Sequence, residues 1–178
     1  MTKQLILIRH GEPLTIKGKK FGLSNTGCKQ IQKSANNLKS VIHETKDIQV
    51  ISSYSLRCIQ SARIVADTLN VNFTKQNLRL NSADLLKLDE SQSKFLQYLA
   101  SYKQLSIESP EEYFKRIHRI VFESRANTTI MIGHEVGIRI ILSQIYKTRS
   151  TEPYPYGQIT KLVLSDTPTD VTIGADNA

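Results

Sequence analysis

Two arginines and two histidines follow three short apolar runs of the chain. Arg9 and His10 come after the first run, Arg57 after the second and His134 after the third. Because the carboxyl ends of parallel strands meet at one edge of an open α/β sheet, these side chains are expected to lie together. Guanidinium groups grip oxyanions through a planar pair of donors, and an imidazole can attack phosphorus or carry a proton. The spacing therefore predicts a phosphate pocket.

The three runs, residues 5–8, 48–51 and 128–132, have the composition of strands buried on both faces. After the second and third runs, apolar residues recur at three- and four-residue steps, which indicates that a helix begins directly there. Arg57 is therefore expected in the first turn of a helix, where free amides and the helix dipole favour an anion.

Other patterns complete an alternating order of strands and helices. Apolar residues at helical spacing between residues 31 and 42 predict an amphipathic helix after the first loop. A capping serine, a proline and a glutamate at 109–112 predict another helix start. Short strands are predicted at 71–74 and 159–164. Residues 1–164 are interpreted as a single domain and residues 165–178 as a polar, mobile tail.

The order of these segments resembles the histidine phosphatase superfamily, in its phosphoglycerate mutase-like branch and of a compact bacterial type. The resemblance implies a three-layer α/β/α sandwich with a mostly parallel central sheet. It covers the chain to about residue 164 and is carried by Leu7-Ile8-Arg9-His10-Gly11-Glu12, Leu23-Ser24-Asn25-Thr26-Gly27 with Gln30, Ser52-Ser53-Tyr54-Ser55-Leu56-Arg57-Cys58-Ile59-Gln60-Ser61-Ala62, Glu108-Ser109-Pro110-Glu111-Glu112 with Arg116, Gly133-His134-Glu135, and Gly157-Gln158-Ile159-Thr160.

The resemblance also implies a mechanism. His10 would attack phosphorus and hold a covalent phosphohistidine that water then hydrolyses, which divides one difficult displacement into two easier ones. Attack requires a neutral imidazole, so a backbone carbonyl is expected to hold His10 in one tautomer. Arg9, Arg57 and His134 would bind the non-bridging phosphoryl oxygens, whose charge must be stabilised in the transition state.

The general acid departs from the family's pattern. The segment at 78–86 lacks the glutamate and glycines that this branch commonly carries there. Two substitutes are present: Asp84 lies in the corresponding loop, and Glu135 follows the second histidine, where the acid phosphatase branch carries its acid. Glu135 is the favoured candidate and Asp84 the alternative. Asp84 as a surface charge, or Glu135 as a carboxylate near a helix N-terminus, stays an open interpretation.

The resulting hypothesis is a phosphatase that hydrolyses phosphomonoesters and needs neither a metal nor a cofactor. Cys28 and Cys58 lack histidine or cysteine neighbours at ligand spacing. A protein phosphohistidine phosphatase is one alternative, and a catalytically silent protein that binds phosphorylated ligands is another. A mutase is disfavoured because the chain lacks the long insertions that cover a mutase pocket and exclude water.

The bulk properties agree with an anionic, phosphorylated substrate, either a small phosphomonoester or a phosphoprotein. The 178 residues carry a net charge of +8 and have a pI near 9.5. The charges are scattered and no nucleic-acid motif is found, so nucleic acid is not the expected partner. Without a signal peptide or a membrane-length apolar segment, and with two unpaired cysteines, the expected location is the cytoplasm. The sequence does not indicate an oligomeric state.

Overall fold

The computed structural model describes residues 2–42, 47–76, 80, 94, 97, 99, 103, 108–147, 153–166 and 171–172. Its strands are β1 (Thr2–Arg9), β2 (Pro13–Ile16), β3 (Lys19–Leu23), β4 (Ile48–Ser52), β5 (Phe73–Gln76), β6 (Thr128–Gly133), β7 (Ile159–Ser165) and β8 (Val171–Thr172). The helices of this part of the chain are α1 (Asn25–Val41), α2 (Leu56–Leu69), α3 (Pro110–Glu123) and α4 (Glu135–Tyr146).

The main sheet has the strand order β5-β4-β6-β1-β7-β8. The first four of these strands are parallel, whereas β7 and β8 each run antiparallel to the strand before them. Ile132 of β6 pairs with both Ile8 of β1 and Ser52 of β4, so the three strands end at the same level. The loops that follow them are thereby brought together. This mixed α/β architecture with a mostly parallel sheet confirms the predicted fold class.

The core lies on both faces of the sheet, because successive side chains of a strand point to opposite sides. Along β1, Leu5 and Leu7 join a cluster with α3 and α4, and Ile6 and Ile8 join a cluster with α1 and α2. All four side chains are fully buried. Each contributes about 1.5–3 kcal/mol through the area it removes from water. β1 is therefore the central strand of a three-layer structure.

Helices α1 and α3 begin at side chains that satisfy free amides of the first turn. Ser109 and Glu112 form a complete capping box at the start of α3, which confirms the predicted start. Ser24 accepts a hydrogen bond from the Gly27 amide at 3.0 Å and begins α1. Because its N-terminus is fixed in this way, α1 is anchored close to the loop that follows β1.

A hairpin replaces the simple loop expected between β1 and α1. Strands β2 and β3 pair antiparallel around the two-residue turn Lys17-Gly18, in which both residues have positive φ, 48° and 74°. This conformation is typical of tight hairpins because its twist matches that of the strands. The turn signal is weak in the sequence, since lysine is an uncommon first residue in such turns.

Two further boundaries differ from the sequence-based expectation. The strand predicted at 71–74 is β5 at Phe73–Gln76, because the Val71 amide still donates to the Ala66 carbonyl and closes the end of α2. Within the segment interpreted as a tail, β8 pairs with Val163 and Leu164 of β7. No described helix combines the length and apolar character needed to cross a membrane.

Candidate active site

His10 lies directly after β1, almost fully buried, with 5% of its surface exposed. Its amide donates to the Gly133 carbonyl at 3.1 Å, which ties the ends of β1 and β6 together. Its Nδ1 lies 2.7 Å from the Gly11 carbonyl oxygen. Because a carbonyl only accepts, Nδ1 carries the proton and Nε2 keeps a lone pair. This geometry confirms the prediction that a backbone carbonyl fixes the tautomer.

Two glycines allow the chain after His10 to lie against the start of α1. A Cβ atom at Gly11 would lie 2.3 Å from the Gly27 carbonyl oxygen, and one at Gly27 would lie 2.2 Å from the Glu12 carbonyl oxygen. Neither backbone could accept a side chain without moving. The close crossing therefore requires glycine on both sides, and it fixes the loop that orients the imidazole.

Arg57 links the two imidazoles from the first turn of α2, where the sequence predicts it. Its Nε donates to His10 Nε2 at 3.2 Å, and its Nη2 lies 3.4 Å from His134 Nδ1. The ring centroids of His10 and His134 are 5.1 Å apart in an edge-to-face arrangement. The guanidinium, at the N-terminus of a helix, and the two rings form one wall of a site suited to an oxyanion.

His134 is fixed from behind by the loop after β4. Its Nε2 lies 3.0 Å from the Ser53 hydroxyl and 3.7 Å from Cys58 Sγ. Ser53 and Cys58 are both fully buried. Reasoning from the sequence did not assign a role to Ser53, although it belongs to the Ser-Ser segment that carries part of the family resemblance. Its hydroxyl can donate or accept, so either neutral tautomer of His134 can be satisfied.

Burial keeps both imidazoles neutral at neutral pH. It lowers the pKa of His10 to about 3; the hydrogen bond to Gly11 opposes this shift, and His134, Arg57 and Arg9 add to it. Burial likewise lowers the pKa of His134 to about 4, with smaller contributions from the charges of Arg57, Arg9 and Lys20. A neutral imidazole with a free lone pair is the form in which His10 can attack phosphorus.

Arg9 is held on three sides. Its Nη1 donates to the Tyr154 carbonyl, its Nη2 lies 3.0 Å from Glu135 Oε2, and its guanidinium stacks 3.9 Å from the centre of the Tyr156 ring. Burial lowers the pKa of Arg9, and the Glu135 carboxylate opposes that shift. Among the described residues, its buried Nε has no hydrogen-bond partner. The side chain therefore has fixed contacts and an unused donor.

Glu135, the favoured candidate for the acid, lies between two guanidinium groups at the start of α4. Its Oε2 faces Arg9, and its Oε1 lies 3.2 Å from Nη1 of Arg139, one turn further along the helix. Arg139 is 7% exposed. The carboxylate thus connects the pocket to a buried cation. Asp84, the alternative acid, lies outside the described residues.

Tyr154 and Tyr156 reach the site from a turn that precedes β7. The Gly157 amide donates to the Arg9 carbonyl at 3.0 Å, and Gly157 has a φ of 71°, which favours glycine. The Tyr156 ring centroid lies 5.6 Å from that of His10. One segment of the sequence, Gly157-Gln158-Ile159-Thr160, is an indirect signal for this contact. The tyrosines themselves were not predicted.

Within the described ranges, no group of three or more histidine, cysteine, aspartate or glutamate side chains is arranged to hold a metal ion. Cys28 is exposed and Cys58 is buried, and both thiols are free.

Solved structures with the same fold include both phosphatases and a mutase. A mycobacterial glucosyl-3-phosphoglycerate phosphatase is 16% identical, has a TM-score of 0.66 and aligns over 100% of both chains. A phosphoglycerate mutase from Bacillus anthracis is 16% identical, has a TM-score of 0.70 and aligns over 99% of this chain and 93% of its own. YhfR from Bacillus stearothermophilus is 17% identical, with a TM-score of 0.66 and coverage of 98% and 96%.

At sequence identities this low, the similarity to these solved structures shows a shared fold. Compared with curated protein sequences, the chain gives no significant match. The sequence model of the histidine phosphatase superfamily (branch 1) matches residues 5–168, which include every element from β1 to β7 except the first residues of β1. The chain therefore belongs to branch 1 of the histidine phosphatase superfamily.

Proposed function

We propose that this protein is a metal-independent phosphatase that hydrolyses phosphomonoesters through a phosphohistidine on His10. The observation that carries the proposal is the state of the His10 ring. The Gly11 carbonyl accepts a hydrogen bond from Nδ1–H, and the unprotonated Nε2 accepts one from the Arg57 guanidinium. A nucleophile and an oxyanion-binding group thus meet at one point of the pocket.

In the first step, the phosphoryl oxygens take over donors of Arg57, Arg9 and His134. His10 Nε2 attacks phosphorus, the P–N bond forms, and the bond to the bridging oxygen breaks with its electron pair on the leaving alcohol. In the second step, water attacks phosphorus and passes a proton to the carboxylate that protonated the leaving alcohol, and the P–N bond breaks with its electron pair on Nε2, which returns His10 and releases inorganic phosphate. The arginines stay charged throughout and stabilise the transferring group.

The Ser53 hydroxyl allows His134 to adopt the tautomer that donates to a phosphoryl oxygen. In the structure, His134 Nδ1 faces an N–H of Arg57. When an oxyanion occupies the pocket, Nδ1 must carry the proton in order to donate to it. The Ser53 hydroxyl then donates to Nε2 instead of accepting from it. Ser53 is therefore proposed as a positioning residue that accommodates both tautomers.

Glu135 is proposed mainly as the residue that positions Arg9. Both of its carboxylate oxygens already face guanidinium groups. That arrangement suits a fixed acceptor better than a proton donor. Protonation of the leaving oxygen stays assigned to Glu135 or Asp84, and the leaving-group series described in the Discussion separates the two roles.

Hydrolysis of the phosphohistidine is proposed in preference to the mutase reaction, in which the phosphoryl group is transferred back to the substrate. This preference rests on the sequence, in which no long insertion of the kind expected to cover a mutase pocket and exclude water is recognised. The likeness to a glucosyl-3-phosphoglycerate phosphatase supports a phosphorylated small molecule as substrate, whereas the mutase among the neighbours represents the competing reaction. Two free thiols support a reducing compartment, the cytoplasm, as the place of action.

The experiment is hydrolysis of p-nitrophenyl phosphate in the presence of EDTA. Wild type is expected to turn over and His10→Ala to be inactive. His118→Gln is the matched control, because His118 packs between α3 and β7, with its Nε2 2.8 Å from the Ser165 carbonyl oxygen, and the amide of glutamine also offers an N–H. Turnover by His10→Ala would overturn the nucleophile assignment. Phosphate binding by an inactive wild type would instead favour the silent binding protein.

A further inference from the structure

Lys20 is an exposed lysine of strand β3, close to the turn of the β2–β3 hairpin. Among the described residues, the ion pairs are made by arginines, and Lys20 has no carboxylate partner. The hairpin itself offers none, because residues 13–23 contain neither aspartate nor glutamate. The ammonium group of Lys20 is therefore available to an anion that comes from outside the chain.

The packing of β3 against α2 decides which face of the hairpin carries Lys20. A Cβ atom at Gly22 would lie 2.3 Å from Gln60 Oε1, so the Gly22 position faces α2. Residues two apart in a strand point to the same side, and Lys20 therefore belongs to the face that is turned toward α2. The neighbouring Lys19, which pairs with Ile16, belongs to the opposite face.

The side of α2 that faces the hairpin is also the side that carries Arg57. Gln60 follows Arg57 by three residues, and side chains at this spacing are neighbours on a helix surface. The Leu23 amide donates to the Gln60 side-chain oxygen at 2.7 Å, which holds the end of β3 against this side of α2. The face that carries Lys20 is therefore turned toward the side of the helix from which Arg57 reaches the two imidazoles.

The electrostatics of the pocket agree with this placement of Lys20. Its positive charge contributes to the lowered pKa of His134, whereas the groups whose charges lower the pKa of His10 are His134, Arg57 and Arg9. Lys20 therefore lies on the His134 side of the pocket, away from the nucleophile. A phosphoryl group bound by the arginines and histidines of the pocket would leave the ammonium group of Lys20 uncovered.

We propose that Lys20 is a specificity-determining residue that binds a second anionic group, carried by the alcohol part of a small phosphomonoester. This assignment rests on the proposed phosphatase function and specifies its substrate class, namely esters whose alcohol carries a carboxylate or another anion. A lysine suits the task, because its flexible stem lets a point charge follow anions of different shape, which the fixed fork of a guanidinium does not. The ion pair would be exposed, so its contribution to affinity is modest.

The test measures the binding of matched esters without turnover. Phenyl phosphates with a carboxylate at the meta or the para position are compared with their carbamoyl analogues, which have nearly the same size but no charge on the ring substituent. Titration calorimetry of each ester with the full-length His10→Ala protein gives its dissociation constant. We expect the carboxylate to improve binding about three- to fivefold at one position or both, and added salt to reduce this improvement.

Two variants that remove the same charge from opposite faces of the hairpin locate the effect. In the His10→Ala protein, Lys20→Gln is expected to abolish the preference for the carboxylate, and Lys20→Arg to retain it. Lys19→Gln is the matched control and is expected to leave the preference unchanged, because Lys19 points away from α2. Thermal unfolding of each variant shows whether it is folded.

Three results would overturn the role of Lys20: equal affinity for the charged and neutral esters at both positions, a preference that survives in Lys20→Gln, or an equal loss in Lys19→Gln. Failure of the proposed function has a different signature. Wild type would then not hydrolyse p-nitrophenyl phosphate, whatever the ester affinities of the His10→Ala protein show. The two outcomes are therefore measured separately.

Discussion

At the scale of single residues, the distinctive feature of the site is that Arg9 is fixed before any phosphate arrives. Tyr154, Tyr156 and Glu135 each hold one part of its guanidinium. Preorganised donors stabilise a transition state well because they need not reorient during the reaction. The second carboxylate oxygen of Glu135 pairs with the buried Arg139, so the carboxylate balances two positive charges.

A Glu135→Gln substitution separates positioning from acid catalysis. The neutral amide weakens the hold on Arg9, and kcat/KM is expected to fall about tenfold, which corresponds to about 1.4 kcal/mol. If Glu135 only positions Arg9, the loss is the same for aryl phosphates with good and with poor leaving groups. The measurement is kcat/KM across a series of substituted phenyl phosphates.

A loss that grows with the pKa of the leaving group would contradict the positioning role and identify Glu135 as the acid. The matched control is Glu12→Gln, because Glu12 also lies near the pocket but accepts from the Ser24 hydroxyl at 2.9 Å and does not contact Arg9. The same series on Asp84→Asn tests the alternative acid.

Sequence reasoning could point to Arg9, His10, Arg57 and His134 because each lies at the end of a strand or within a few residues of it, and strand ends are local features. The residues that contact these four side chains could not be predicted in this way. Tyr156 reaches Arg9 from a turn almost 150 residues away in the chain, through backbone bonds between Gly157 and Arg9. Such contacts depend on how β7 pairs with β1, which no local pattern specifies.

At the scale of elements, the position of the nucleophile depends on the crossing between the loop after β1 and the start of α1. Gly11 and Gly27 approach so closely that a Cβ atom on either would overlap the other segment's backbone. Strands and helices themselves were predictable from the period of their apolar residues. The β2–β3 hairpin was not, because its exposed strands carry no buried apolar face.

Gly27→Ala is expected to reduce both stability and activity. Its Cβ would meet the Glu12 carbonyl at 2.2 Å, and the resulting shift of α1 or of the loop costs about 1–3 kcal/mol, as overpacking does elsewhere. Urea denaturation measures the free energy of unfolding, and p-nitrophenyl phosphate hydrolysis measures the activity.

Gly133→Ala is the matched control for stability, because the one described atom that a Cβ there meets is Met131 Cε, at 3.9 Å. A Gly27→Ala protein as stable and as active as wild type would show that the crossing does not fix the site.

At the scale of the whole molecule, the buried imidazoles couple the stability of the fold to pH. His10 and His134 have folded-state pKa values of about 3 and about 4, well below the ordinary 6.5. Between these values the unfolded chain binds more protons than the folded one. These two groups therefore leave the free energy of unfolding unchanged above about pH 6.5. As the pH falls from 6.5 toward 4, they lower the free energy of unfolding.

The expected slope is at most about 1.4 kcal/mol per pH unit for each histidine. Urea denaturation of the ligand-free protein at several pH values between 4.5 and 7.5 measures it. His10→Ala is expected to show a shallower dependence, since one of the two groups is removed. Equal slopes for wild type and His10→Ala would contradict the depressed pKa of His10.

The fold class and the sheet edge that carries the site were predictable because their signals recur along the chain in a fixed order. The surface of the molecule was less predictable. That the charge of Lys20 lowers the pKa of His134 follows from the packing of β3 against α2, which depends on side chains distant in sequence.

The central claim is that His10 becomes phosphorylated during turnover. Its most direct test is to mix wild type with a rapidly reacting aryl phosphate, quench under alkaline denaturing conditions that preserve phosphohistidine, and map the modified peptide by mass spectrometry. One phosphoryl group is expected on the peptide that contains His10, and none in the His10→Ala protein. Turnover by wild type without a phosphorylated His10 peptide, or with the phosphoryl group on another residue, would contradict the mechanism.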